Sequence, residues 1–227
     1  MEDIGGDYFA PKDLLMMIKY WIRALFMSIA LLATATMASA QEYSFTPVSE
    51  PKHKIRTEWG AGIGAFYTGM SMVSTENVSL KTRFGFEGHF DIGVIFGKHF
   101  ALETEVSYQG GSIDVSNGRE EHRVRTKGVD IPLFASLRLA HNRVRISAGP
   151  LFTVMSRGEY TSNSETMMYG PVNSTWNVAA SVGVTIARYF IIEARYIHSL
   201  KDELNHFCGE EFATRTYRVA AGVTVLF

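Results

Sequence analysis

The chain ends in Tyr217-Arg218-Val219-Ala220-Ala221-Gly222-Val223-Thr224-Val225-Leu226-Phe227. Odd positions are apolar throughout, whereas even positions are small, charged or mixed. A period of two is the signature of a strand whose two faces meet different surroundings. A last segment without a polar tail is expected to be tied down by pairing, because free termini fray. The first strand of the same sheet is the expected partner.

Seven more segments upstream keep one apolar parity. They are 57–67 (TEWGAGIGAFY), 84–96 (FGFEGHFDIGVIF), 100–108 (FALETEVSY), 129–139 (VDIPLFASLRL), 144–154 (VRISAGPLFTV), 176–186 (WNVAASVGVTI) and 190–198 (FIIEARYIH). Their connections alternate in length. Gly97 to His99, Ala140 to Arg143 and Ala187-Arg188 are tight, whereas Thr68 to Arg83, Gln109 to Gly128, Ser156 to Thr175 and Ser199 to Thr216 are long and polar. Short turns at one end and long loops at the other are the layout of an outer-membrane barrel. The expected fold is all-β, an eight-stranded antiparallel transmembrane β-barrel over residues 56–227, with four extracellular loops.

Alternation does not by itself say which face is inside, so a soluble lipocalin-type barrel with an apolar interior is the rival. The other parity decides between them. Gly60, Gly62 and Gly64 share it with Glu58, a mixture suited to a narrow polar lumen. It also carries Glu87, Asp91, Glu103, Glu105, Asp130 and Glu193 against Arg138, Arg145, Arg195 and Arg218. Acids fall mostly on early strands and arginines on later ones, so closure is expected to pair them across an interior too narrow for an open channel. Aromatic residues gather at both ends of the apolar face: Trp59, Phe96, Phe100, Phe190 and Phe227 near one rim, and Tyr67, Phe84, Tyr108, Phe152, Trp176, Tyr196 and Tyr217 near the other. Such girdles mark the two membrane interfaces. Pro132 and Pro150 cannot donate to a ladder, and a bulge or a missing bond is expected at each.

The start of the chain points to export. Lys19 and Arg23 precede an uncharged apolar run from Ala24 to about Ala35, followed by Ala38-Ser39-Ala40. That order is a signal peptide with a small-x-small cleavage site, and the run is too short to span a bilayer. Cleavage after Ala40 is expected, with residues 1–40 removed and residues 41–55 forming a periplasmic segment. The acids and proline of residues 1–15 are foreign to a signal peptide, so the true start is expected at Met16 or Met17. Removing residues 1–40 takes Lys12, Lys19 and Arg23 against Glu2, Asp3, Asp7 and Asp13, which balances the 22 basic and 23 acidic side chains of the full chain. A neutral chain lacks the basic excess of a nucleic-acid binder. The single cysteine, Cys208, excludes an internal disulfide.

The segments Val129–Leu139 and Arg145–Val154, together with the terminal Phe227 of Val223–Phe227, resemble the outer membrane protein beta-barrel domain family. These are small eight-stranded barrels, PorT-like and more distantly OmpA-like and OmpX-like, and the resemblance spans about residues 56–227. It implies the outer membrane of a Gram-negative-type bacterium, outer-membrane lipid as surroundings, and recognition of Phe227 by the barrel assembly machinery. For the PorT-like group it also implies an accessory role in protein secretion.

No reactive constellation stands out. The glycines of Gly60–Gly64 are spaced by two with no helix to follow, which is not a dinucleotide fingerprint. His198 and Ser199 are adjacent and so face opposite ways, which argues against a lipid-modifying enzyme. His89, two residues from both Glu87 and Asp91, reads as a lumen residue and not as a general base. The last loop gathers His198, Asp202, Glu203, His206, Cys208, Glu210 and Glu211, but their spacing fits no metal-ligand pattern. The expectation is a non-enzymatic protein without cofactor, metal or nucleic acid. It is structural or binds an extracellular ligand through its loops, with the secretion role as the alternative.

Overall fold

The computed structural model describes residues 55–73, 78–162, 164–186 and 189–227. The expected cleavage residues Ala38 and Ala40, and all of the expected periplasmic segment except Ile55, lie outside them. The described residues form eleven strands and no helix: β1 (Arg56–Met72), β2 (Ser79–Thr82), β3 (Phe84–Phe96), β4 (Phe100–Ser116), β5 (Glu121–Leu139), β6 (Val144–Ser162), β7 (Glu165–Gly170), β8 (Trp176–Ile186), β9 (Phe190–Ser199), β10 (Glu203–Phe207) and β11 (Glu210–Leu226).

Eight of these strands make the wall, in the order β1, β3, β4, β5, β6, β8, β9, β11, and all neighbours are antiparallel. β11 then pairs with β1 from Gly60 opposite Leu226 to Met72 opposite Thr214, which closes the barrel. The Phe227 amide donates to the Trp59 carbonyl at 3.1 Å, extending the seam by one bond. Closure leaves no strand edge facing lipid, where an unpaired backbone group has no water to bond.

The residues of the even parity in β1, β5 and β11 and of the odd parity in β3, β4, β8 and β9 point inward. Leu102, Val106, Leu133, Leu137, Ile146, Val178, Ile192 and Val223 face outward and are exposed on the isolated chain. This is the inverse of a lipocalin, because the apolar side chains form the outer wall. At one end of that wall Trp59 packs on Phe90, and Phe90 on Phe227. At the other, Tyr67 meets Phe84, Phe152 meets Trp176 and Tyr196 meets Tyr217.

The long connections depart from the expectation of loops. β1 runs on to Met72, β4 to Ser116 and β6 to Ser162, while β5 begins at Glu121 and β11 at Glu210. The short strands β2, β7 and β10 add to β4, β6 and β11. The physical reason is an inversion of the binary pattern above the outer rim. On β4 the outward residues change from Val106 and Tyr108 to Ser112 and Asp114, while the inward ones change from Glu105, Ser107 and Gln109 to Ile113 and Val115. Water replaces lipid outside, so an apolar interior becomes the stable arrangement, and the wall continues as a small water-facing barrel.

At both prolines the ladder is interrupted without a change of register. β4 and β5 pair through Thr104 and Leu133 and again through Ser107 and Asp130, skipping Pro132 and Ile131. β5 and β6 likewise skip Gly149 and Pro150. The register shift in this part of the wall lies instead between Val129 and Asp130 opposite Thr153 to Met155, where β6 accommodates an extra residue. That shift changes the inward parity of β6 from Leu151 and Thr153 to Gly158 and Tyr160.

Candidate functional site

An eight-stranded barrel leaves an interior just wide enough for side chains to fill, and here they fill it in three tiers. Nearest the tight turns, Arg138 bridges Glu58 at 2.9 Å and Glu103 at 2.5 Å. Arg145 reaches the same Glu58 at 2.5 Å and lies 3.8 Å from Glu103. Ser147 lies within hydrogen-bond reach of both Glu103, which can only accept, and the Ser136 hydroxyl. Beside this cluster Arg195 forks onto Glu105 at 2.5 and 2.6 Å and onto Glu193 at 2.7 Å, with its guanidinium over the Phe134 ring. The planar fork of arginine suits such two-carboxylate geometry, which lysine cannot reproduce.

In the middle tier Arg218 pairs with Asp130 and stacks over Phe66. Asp130 also accepts from Gln109 at 3.0 Å and from Thr153 at 2.7 Å. The chain continues as Ser199 donates to Asn177 and Asn177 to Thr153. Glu87 and Asp91 share this interior but reach no arginine at ion-pair distance among the described residues; Asp91 lies 3.8 Å from His89, whose ring bonds Thr224. The sequence reading missed the neutral members of the tier. Ser, Thr, Asn and Gln at inward parity are the signal that could have found them.

The third tier is apolar. Val78, Ile113, Val115, Val124, Tyr160, Tyr169, Val172, Phe207 and Phe212 are buried together inside the extension, with Met70, Met72 and Leu80 packed against them. They cap the polar tiers on the extracellular side. No sequence expectation covered this cap, because the residues that build it were assigned to loops.

His198 faces outward and stacks on Tyr196, whereas Ser199 points inward to Asn177 and Thr216. The two do not meet in a nucleophile and base arrangement. In the last connection His206 lies 3.7 Å from Glu211, and Asp202 holds Arg215 at 2.7 Å. Cys208 turns toward Glu120 of the β4–β5 turn, its thiol 3.1 Å from that carboxylate.

Outside, above the rim, one sector of the wall is basic. Arg123, Arg125 and Lys127 alternate outward on β5, Arg157 sits opposite Lys127 on β6, and Lys81 and Arg83 flank β4. Asp114 lies among them, held by Arg83 at 2.6 Å and Arg123 at 3.2 Å. The Arg83 guanidinium above all, helped by Arg123, keeps the Asp114 carboxyl below the ordinary carboxylate range.

The family model described as outer membrane protein beta-barrel domain matches residues 39–205, most of the chain. The chain belongs to that family. No curated protein matches the sequence. Among solved structures, the outer membrane beta-barrel fold is shared with OprG from Pseudomonas aeruginosa, at 9% identity and a TM-score of 0.50, covering 75% of this chain and 95% of that one. Ail, the attachment invasion locus protein of Yersinia pestis, solved with the heparin analogue sucrose octasulfate, aligns at 11% identity and a TM-score of 0.49 over 75% of this chain and 99% of its own. Neisserial surface protein A aligns at 10% identity and 0.47, over 74% and 96%. The family and its fold put this outer membrane beta-barrel protein in the outer membrane of a Gram-negative-type bacterium.

Proposed function

We propose that this barrel is a non-enzymatic, non-conducting surface protein that acts through its extracellular end. The observation that carries the reading is the filled interior: among the described residues, two tiers of ion pairs and hydrogen bonds occupy the lumen beneath an apolar cap. What such a protein offers its surroundings is the water-facing wall and its turns. The basic sector of β2, β4, β5 and β6 points to the ligand class, a polyanionic saccharide bearing phosphate or sulfate. Arg125, Lys127 and Arg157 form no ion pair among the described residues, so their donors are available. Arg forks and Lys point charges both suit phosphate and sulfate oxygens.

The test is retention of the detergent-purified protein on immobilised dextran sulfate, with neutral dextran as control. Retention should fall steeply with salt, as charge-driven binding does. It should be lost in the Arg123→Glu, Arg125→Glu double variant and kept in a variant altered at the outward Glu211 on the far side of the wall. Equal retention of the charge-reversed protein would reject the basic sector as the binding face.

A further inference from the structure

We propose that Glu120, His122 and Cys208 bind a divalent transition-metal ion of the zinc type at the extracellular end of the barrel. The three residues come from two hairpin ends that the wall brings together: Glu120 closes the β4–β5 turn, His122 is the second residue of β5, and Cys208 sits in the β10–β11 turn. Their ligand atoms all lie within 4.8 Å of one another. Cys208 Sγ is 3.1 Å from Glu120 Oε2, and His122 Nε2 is 3.3 Å from the same oxygen. Bonds of about 2.0 to 2.3 Å around a tetrahedral zinc ion place neighbouring ligand atoms roughly 3.3 to 3.7 Å apart, so small side-chain adjustments suffice. Thiolate sulfur, imidazole nitrogen and carboxylate oxygen are the donor types this ion takes.

The surroundings hold the donors in place. Asn117 accepts from the amides of Arg119 and Glu120, which fixes the first turn. Cys208 and Gly209 both adopt left-handed φ, the geometry of a tight two-residue hairpin. The Cys208 amide donates to the Tyr160 hydroxyl, and the His122 ring packs against both Tyr160 and Phe207 of the apolar cap. Cys208 itself packs against that cap, whereas Glu120 is exposed, so one side of the cluster is walled and the other open to a water ligand.

Charge favours an ion here. The Cys208 thiol and the His122 ring both lie against the Glu120 carboxylate, so an acidic group already sits at the centre of the cluster. On binding, the thiol proton leaves Sγ for solvent and the divalent charge meets one thiolate and one carboxylate. No second cysteine exists for a disulfide, so the proposed chemistry uses the thiol as a ligand. The last connection alone lacked the set, since two of the three donors lie 88 and 86 residues earlier in the chain.

The test is titration of the full barrel, purified in detergent, stripped with chelator and kept under a non-thiol reductant, with cobalt(II) as the spectroscopic probe. One equivalent should bind with a sulfur-to-cobalt charge-transfer band and tetrahedral visible bands, and one equivalent of zinc should displace it. Cys208→Ser should abolish the charge-transfer band. His122→Ala and Glu120→Gln should each weaken binding by about tenfold or more, in line with loss of one donor. His206→Ala, on the same hairpin but facing outward, should change nothing. Each variant is first checked for the heat-dependent shift of a folded barrel in SDS electrophoresis. Absence of the charge-transfer band in the folded wild type, or a band indifferent to His122→Ala and Glu120→Gln, would overturn the site.

Discussion

Arg138 is almost fully buried, and its two terminal nitrogens satisfy Glu58 and Glu103 together. A buried ion pair gains little over an apolar replacement, but removing one partner strands the other. Arg138→Ala leaves two carboxylates sharing only Arg145, and unfolding in urea from lipid vesicles should become easier by about 3 kcal/mol. Adding Glu103→Gln to Arg138→Ala should recover part of that loss, which an account based on lost packing alone would not produce. Asp114 offers a milder case with a definite sign. Its carboxyl is held low, so its contribution is complete above the usual carboxylate pKa of about 3.9 and fades as pH falls through the lower native value. Both arginine partners are about half exposed, so water screens the pair and its contribution is small. Asp114→Asn should therefore speed protease cleavage near β2 at neutral pH, with the difference from wild type shrinking as pH falls below the usual carboxylate range. At this scale the inward parity of the acids and arginines was legible from alternation. Which acid meets which arginine was not, because pairing across the lumen depends on strand tilt and stagger that a linear pattern does not contain.

Among the elements, the eight membrane strands were readable because lipid and lumen impose opposite demands on adjacent residues. Their ends at the tight turns were equally clear: β3 and β8 coincide with the alternating runs 84–96 and 176–186. Above the outer rim the same strands continue with the pattern inverted, so a search for outward apolar residues stops at Tyr108 or Val154 while the hydrogen-bonded wall goes on. The register shift opposite Val129 and Asp130 compounds this by changing the parity of β6 in mid-strand. Facing can be tested on β8. Val182 is outward, opposite Ile146 on one neighbour and Ala194 on the other, far from both rims. Val182→Arg should cost roughly 2 to 4 kcal/mol of stability in vesicles, whereas Ile186→Arg, outward but beside the Phe190 rim, should cost about 1 kcal/mol or less. Urea titration of the two variants checks the gradient. Equal costs would mean that β8 does not cross the bilayer at the depth its neighbours define.

For the whole molecule the decisive feature is closure between its first and last strands. Thirteen paired positions join β1 to β11, and β11 also holds β9 from Tyr217 to Val225 and β10 from Glu210 to Thr214. In water an unpaired amide at such a seam would simply bond solvent, but at membrane depth it has no substitute, so a single lost donor costs more than it would in a soluble barrel. Val223 lies in mid-seam, opposite Ile63 on β1 and Ile192 on β9. Proline there removes the amide from whichever ladder it serves and clashes with its neighbour, with no exposed edge to absorb the distortion. Val223→Ala keeps the amide and removes only two methyl groups that face lipid. Wild type and Val223→Ala should both migrate differently in SDS before and after boiling, since a closed barrel resists cold detergent. Val223→Pro should migrate as the unfolded chain in both lanes. A heat-dependent shift that survives the proline would mean that strand closure through β11 is not what holds the barrel together, and the stability would then have to come from the ion-paired interior alone.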